Sequence, residues 1–92
     1  MKEYKIKEGF MLRKIAGNYV VVAIGKVGKE FNGMINLNES GAFLFDLLKK
    51  YQSLDFLVEE LMKEYEIEKK IAKNDALEFL HILEENGICE CK

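Results

Sequence analysis

The side chains able to do covalent or metal chemistry are few: Cys89, Cys91 and a single histidine, His81. The two cysteines flank one residue in Gly87-Ile88-Cys89-Glu90-Cys91-Lys92. In an extended chain such residues share a face but stand too far apart for an unstrained disulfide. Two thiolates could hold a soft metal, yet a structural zinc site takes four ligands. Cys89 and His81 could supply a nucleophile and a base, but nothing supplies the third group that orients the base. His81 therefore reads as a solvated residue on the polar side of a helix. The cysteines read as intracellular thiols, one packed and one exposed. Gly25-Lys26-Val27-Gly28-Lys29 lacks the spacing and the terminal Ser or Thr of a phosphate loop. Asp55, Glu59, Glu60 and Lys63 form a charged outer helix face. No catalytic group, metal or cofactor is expected, and a binding module is the better class.

Charge and length narrow the class further. The chain has 92 residues with 14 basic against 16 acidic side chains. A nucleic-acid domain is usually basic, because phosphate neutralisation supplies most of its non-specific affinity. The balance here weighs against nucleic acid. One domain over residues 1–92 is expected at this length. No apolar run approaches the roughly 20 residues needed to span a bilayer. Met1-Lys2-Glu3-Tyr4-Lys5 does not lead into the apolar core of a secretory signal, so a cytoplasmic location is expected.

The elements that must position any binding site are legible from periodicity. Phe10, Leu12 and Ile15 predict a short first strand, followed by turn residues Ala16-Gly17-Asn18. Tyr19-Val20-Val21-Val22-Ala23-Ile24 predicts a second strand. After a loop with two glycines, alternation from Phe31 to Leu37 predicts a third strand. Asn38 is placed to cap the next helix, with Glu39 at its positive end. That helix is expected from Glu39 to Tyr51. A second, capped by Ser53, should run to Tyr65. A third should run from Glu68 to Asn86-Gly87, with a core stripe of Ala72, Ala76, Phe79, Leu80 and Leu83. The fold class is α+β and winged-helix-like: a three-stranded antiparallel sheet followed by three helices.

Such a sheet leaves edges unpaired. The third strand carries none of the lysines or prolines that blunt an edge, and Asn32, Gly33, Met34 and Asn36 leave its backbone approachable. An extended peptide could add there as a further strand. The alternative is that helix three or a second copy covers this edge.

Phe31-Asn32-Gly33-Met34-Ile35-Asn36-Leu37-Asn38-Glu39-Ser40-Gly41-Ala42 resembles the strand-to-helix signature of PqqD-like proteins. The acidic, leucine-rich second helix ending in Tyr65 agrees, as does Asp75-Ala76-Leu77-Glu78-Phe79-Leu80 leading to Gly87-Ile88. The resemblance runs from about Phe10 to Ile88 and lies in order and spacing. It implies a non-catalytic peptide chaperone. Such a protein holds the leader of a ribosomally made precursor peptide and presents it to a modifying enzyme, often a radical S-adenosylmethionine enzyme.

In the family the leader lies along the third strand and against the third helix. Carried over, the strand residues are Asn32, Gly33, Met34, Ile35 and Asn36. Two faces of the helix are candidates. Lys70, Lys73, Asn74, Leu77 and His81 form the preferred one, because Leu77 is apolar among polar neighbours. Ile71, Asp75, Glu78 and Ile82 form the other. Lys70 and Lys73 would suit an acidic leader.

Two further readings share these surfaces. As a winged-helix DNA-binding protein, the chain would present Lys69, Lys70, Lys73 and Asn74 near the start of helix three. As a homodimer, it would pair third strands edge to edge.

Overall fold

The computed structural model describes residues 2–25 and 34–92. Phe31, Asn32 and Gly33, the expected first half of the third strand, lie outside the described residues, as do residues 26–30, where a loop is expected. The described elements are β1 (Glu3–Ile6), β2 (Phe10–Ile15), β3 (Asn18–Ala23), β4 (Ile35–Leu37), α1 (Glu39–Leu47), β5 (Gln52–Ser53), α2 (Leu54–Tyr65), α3 (Lys69–Glu85) and β6 (Cys89–Cys91). The order is α+β, with the expected antiparallel meander β2-β3-β4 ahead of three helices.

The β2–β3 connection is a two-residue turn. Ile15 faces Asn18, and both central residues have positive φ, 51° at Ala16 and 83° at Gly17. That is the type I′ geometry whose twist suits a hairpin. One face of the meander turns inward, placing Val21 and Leu37 in the core with Phe10, Leu12, Tyr19 and Ile35 packed against it.

A second sheet is present that the sequence pattern does not predict. β1 lies between β5 and β6, antiparallel to both, with Tyr4 opposite Gln52 on one side and Cys91 on the other. Its strands are two to four residues long and far apart in the chain, so no local periodicity marks them. The Glu3 amide donates to the Lys92 carbonyl and the Lys92 amide to that of Glu3, both at 3.0 Å. Backbone pairing between distant segments thus ties the chain's two ends together.

This second sheet also explains why α1 stops at Leu47 instead of reaching Tyr51. The Ile6 amide donates to the Leu48 carbonyl at 2.9 Å, and the chain then turns to pair through Gln52 and Ser53. Tyr51 leaves the helix, and its hydroxyl donates to Glu90 at 2.9 Å.

The other helix boundaries follow their caps. Ser53 Oγ accepts from the Phe56 amide at 3.1 Å. At the end of α3, Gly87 takes a φ of 66° and the Ile88 amide donates back to the Leu83 carbonyl at 2.9 Å, a Schellman closure that seals Ile88 in the core. Ala72, Ala76, Phe79, Leu80 and Leu83 are the buried stripe of α3. Against them pack Leu44, Leu48, Leu57 and Leu61, all essentially inaccessible. Each such leucine contributes roughly 1.5–3 kcal/mol by burial.

Candidate functional site

Hydrogen-bond alternation decides which backbone groups of the meander are free. A two-residue hairpin makes Ile15 and Asn18 a hydrogen-bonded pair, so β3 bonds to β2 through Asn18, Val20 and Val22. The Ile24 amide bonds to the Gly9 carbonyl at 2.7 Å, in phase with this alternation. Tyr19 and Val21 are left to bond outward, and they face Leu37 and Ile35 of β4. Ile35 and Leu37 therefore spend their backbone groups on β3, whereas Asn36 turns its N–H and C=O away from the sheet. β4 ends the meander, and no strand pairs with its outer side among the described residues. Met34, two residues earlier, is 63% exposed.

The chain beside this edge is held rigidly. Asn38 Oδ1 accepts from the Gly41 amide at 2.8 Å and from the Ser40 hydroxyl at 3.0 Å. The cap fixes the turn from β4 into α1 with no intervening loop. Gly41 is needed for this closeness. A Cβ there would stand 3.1 Å from Asn38 Oδ1 and 3.3 Å from Leu37 Cβ.

A groove of about 140 Å³ opens between this corner and α3. Asn36, Leu37, Asn38, Ser40 and Gly41 form one wall; Asp75, Glu78, Phe79 and Ile82 form the other. Its apolar surface comes from Leu37, Phe79 and Ile82. Its only charges among the described residues are the carboxylates of Asp75 and Glu78, neither of which is ion-paired.

The candidate residues divide between this groove and elsewhere. Asn36 lines it, Met34 stands exposed just upstream, and Ile35 packs toward the core. Asn32 and Gly33 lie outside the described residues. Lys70, Lys73, Asn74, Leu77 and His81 are all exposed but lie roughly 120° around α3 from the groove wall. Lys69 and Lys73 border a different concavity, shared with Asp55 and Glu59 of α2. His81 Nε2 lies 2.9 Å from Glu85 Oε1 on the helix surface. The face that meets β4 is the one with Asp75, Glu78 and Ile82, with Ile71 one turn earlier and 48% exposed. The available signal was two isoleucines on that margin of the core stripe, against one leucine on the other.

The two thiols differ in exposure. Cys89 is half-buried and Cys91 exposed. Burial, then the nearby Glu84 carboxylate, pushes the Cys89 thiol pKa up, which disfavours the thiolate needed for attack or metal binding. No group of three or more His, Cys, Asp or Glu among the described residues could hold a metal ion. No helix among them is long and apolar enough to cross a membrane.

The fold is similar to that of two solved structures. One is a lasso peptide synthetase B1 complexed with the leader peptide, with 22% identity over 95% of this chain and 96% of that one, at a TM-score of 0.71. The other is TbiB1 in complex with the TbiA(beta) leader peptide, with 20% identity over 94% of each chain, at a TM-score of 0.72. No curated protein matches the sequence. The family model for coenzyme PQQ synthesis protein D matches residues 18–88. That segment holds the β3–β4 pair, all three helices and both walls of the groove, and by this match the chain belongs to the PqqD family.

Proposed function

We propose that this protein binds the leader segment of a ribosomally made precursor peptide and presents it to a modifying enzyme. The leader adds to β4 as a further strand. The observation that carries this reading is the outward-facing backbone of Asn36 beside the groove against α3. Backbone bonds give affinity, and the groove gives side-chain selectivity. The two similar structures each hold a leader peptide, which supports the same role here.

Met34, Ile35 and Asn36 form the strand contact in this reading, continued by Asn32 and Gly33. The helix contact comes from Ile71, Asp75, Glu78 and Ile82 in place of Lys70, Lys73, Asn74, Leu77 and His81. This reverses the expected charge of the ligand. A groove whose charges are two carboxylates suits a leader with a lysine or arginine next to an apolar residue, the apolar side chain resting on Phe79 and Ile82. The role is recognition without chemistry. A radical S-adenosylmethionine enzyme is one partner that this family role accommodates.

Titrating a synthetic leader peptide that carries a lysine beside an apolar residue into the isotope-labelled protein tests the reading. Saturable binding with amide shifts in Met34–Asn38 and along the Asp75–Ile82 face is expected. Failure to bind that peptide, or shifts confined to the Lys70–His81 face, sinks it. Sedimentation with and without peptide shows whether a homodimer competes for the same edge. The DNA reading gains nothing from the structure: Lys69 and Lys73 share their concavity with Asp55 and Glu59.

A further inference from the structure

The meander has a second free edge, and it differs in charge from the first. By the same alternation, Leu12 and Lys14 of β2 turn their backbone groups away from β3. No strand pairs with β2 on that side among the described residues. Along this edge lies a concavity of about 490 Å³, walled by β1 and the turn after it, by β2, and by the end of α1 with the chain just beyond. Phe10, Leu12, Tyr19 and Phe45 give it an apolar floor.

Five cations line it, Lys5, Lys7, Arg13, Lys14 and Lys49, against the carboxylates of Glu8 and Asp46. The chain as a whole carries a net charge of −2, so the positive charge is concentrated here. Asp46 is already engaged by Lys49 at 3.4 Å. Arg13 has no carboxylate partner among the described residues.

We propose that this face docks an acidic, extended segment of a partner protein. The segment adds as a strand to β2, sets its carboxylates against the cations and places an apolar side chain on the floor. Basic residues on an edge strand also repel unrelated strands. That role needs cations on β2 alone. Here they converge from β1, β2 and the chain after α1 onto an apolar concavity, which guarding does not require. A polyphosphate chain suits the face less well, because Glu8 and Asp46 interrupt it and its floor is apolar. β2 and β4 are opposite edges of the meander, so two extended chains can occupy the sheet at once.

The test uses the intact protein and a fluorescent peptide of alternating glutamate and valine at low salt. Expected is saturable binding with amide shifts in Lys5–Lys14 and Phe45–Lys49 and none in Met34–Asn38. The double variants Arg13→Glu with Lys14→Glu, and Lys5→Glu with Lys7→Glu, should each weaken binding about tenfold or more, with melting curves verifying the fold. Equal binding of a lysine–valine peptide overturns the proposal, as does tighter binding of a single-stranded oligonucleotide. Absence of binding, or shifts confined to the β4 groove, also overturns it. None of these outcomes depends on whether a leader binds β4.

Discussion

Asn36 stands opposite Val20 across β3 and β4 as a non-hydrogen-bonded pair, so Asn36 holds its backbone donor and acceptor outward while Val20 is buried. The neighbouring Ile35 does the reverse and bonds to Val21. A proline scan separates the two roles. Asn36→Pro and Met34→Pro delete outward donors and should weaken leader binding about tenfold or more, the equivalent of about 1.4 kcal/mol, with little change in melting temperature. Ile35→Pro deletes a ladder bond and a core contact, and should lower the melting temperature by about 5 °C or more. Wild-type leader affinity in a folded Asn36→Pro protein would falsify strand addition.

The two faces of α3 make opposite predictions about charge. Asp75→Lys with Glu78→Lys should weaken a basic leader by about tenfold. Lys70→Glu with Lys73→Glu should leave it within about twofold. Fluorescence anisotropy with a basic leader and its charge-reversed counterpart reads this directly, and the first double variant should reverse the preference. An effect confined to the Lys70 and Lys73 pair would return the groove to the other face.

The corner between β4 and α1 should tolerate little change. Asn38→Ala removes the acceptor for Gly41 and Ser40 and should cost about 0.5–2 kcal/mol in urea unfolding. Gly41→Ala would ordinarily stabilise a helix by up to about 1 kcal/mol. Here the added methyl meets Asn38 Oδ1 at 3.1 Å, and that oxygen cannot retreat without releasing the cap. The variant should therefore be less stable than the parent.

The β2–β3 turn offers the opposite case. Ala16 is a non-glycine residue at a φ of 51°. Asparagine tolerates that region better, and Asn-Gly is the preferred type I′ pair. Ala16→Asn should stabilise the protein by up to about 1 kcal/mol, raising the melting temperature by about 4–8 °C.

The thiols should differ in reactivity. Cys89 is half-buried with its pKa raised by burial and by Glu84, so near pH 8 it holds less thiolate than an ordinary cysteine. Mass spectrometry during iodoacetamide treatment should show Cys91 modified first. Cys89 should gain rate as pH rises beyond the usual thiol range. A faster Cys89 would contradict the burial seen here.

How far the sequence speaks depends on the range of the forces involved. Caps and period-dependent burial are local. Asn38, Ser53 and Gly87 therefore marked helix ends that the structure keeps, and the stripe Ala72, Ala76, Phe79, Leu80 and Leu83 was legible as the core face of α3. Alternation likewise marked the meander and its last strand. The second sheet was not legible, because Glu3–Ile6, Gln52–Ser53 and Cys89–Cys91 are joined by backbone bonds that carry no side-chain pattern. The choice between the two faces of α3 was also beyond it. Leu77 and Ile82 both lie at margins of one apolar stripe, and only packing of α3 against the β4–α1 corner decides which margin meets an open strand. That packing depends on how large side chains from distant elements fill one interior, a property of the assembled core and not of any single stretch of chain.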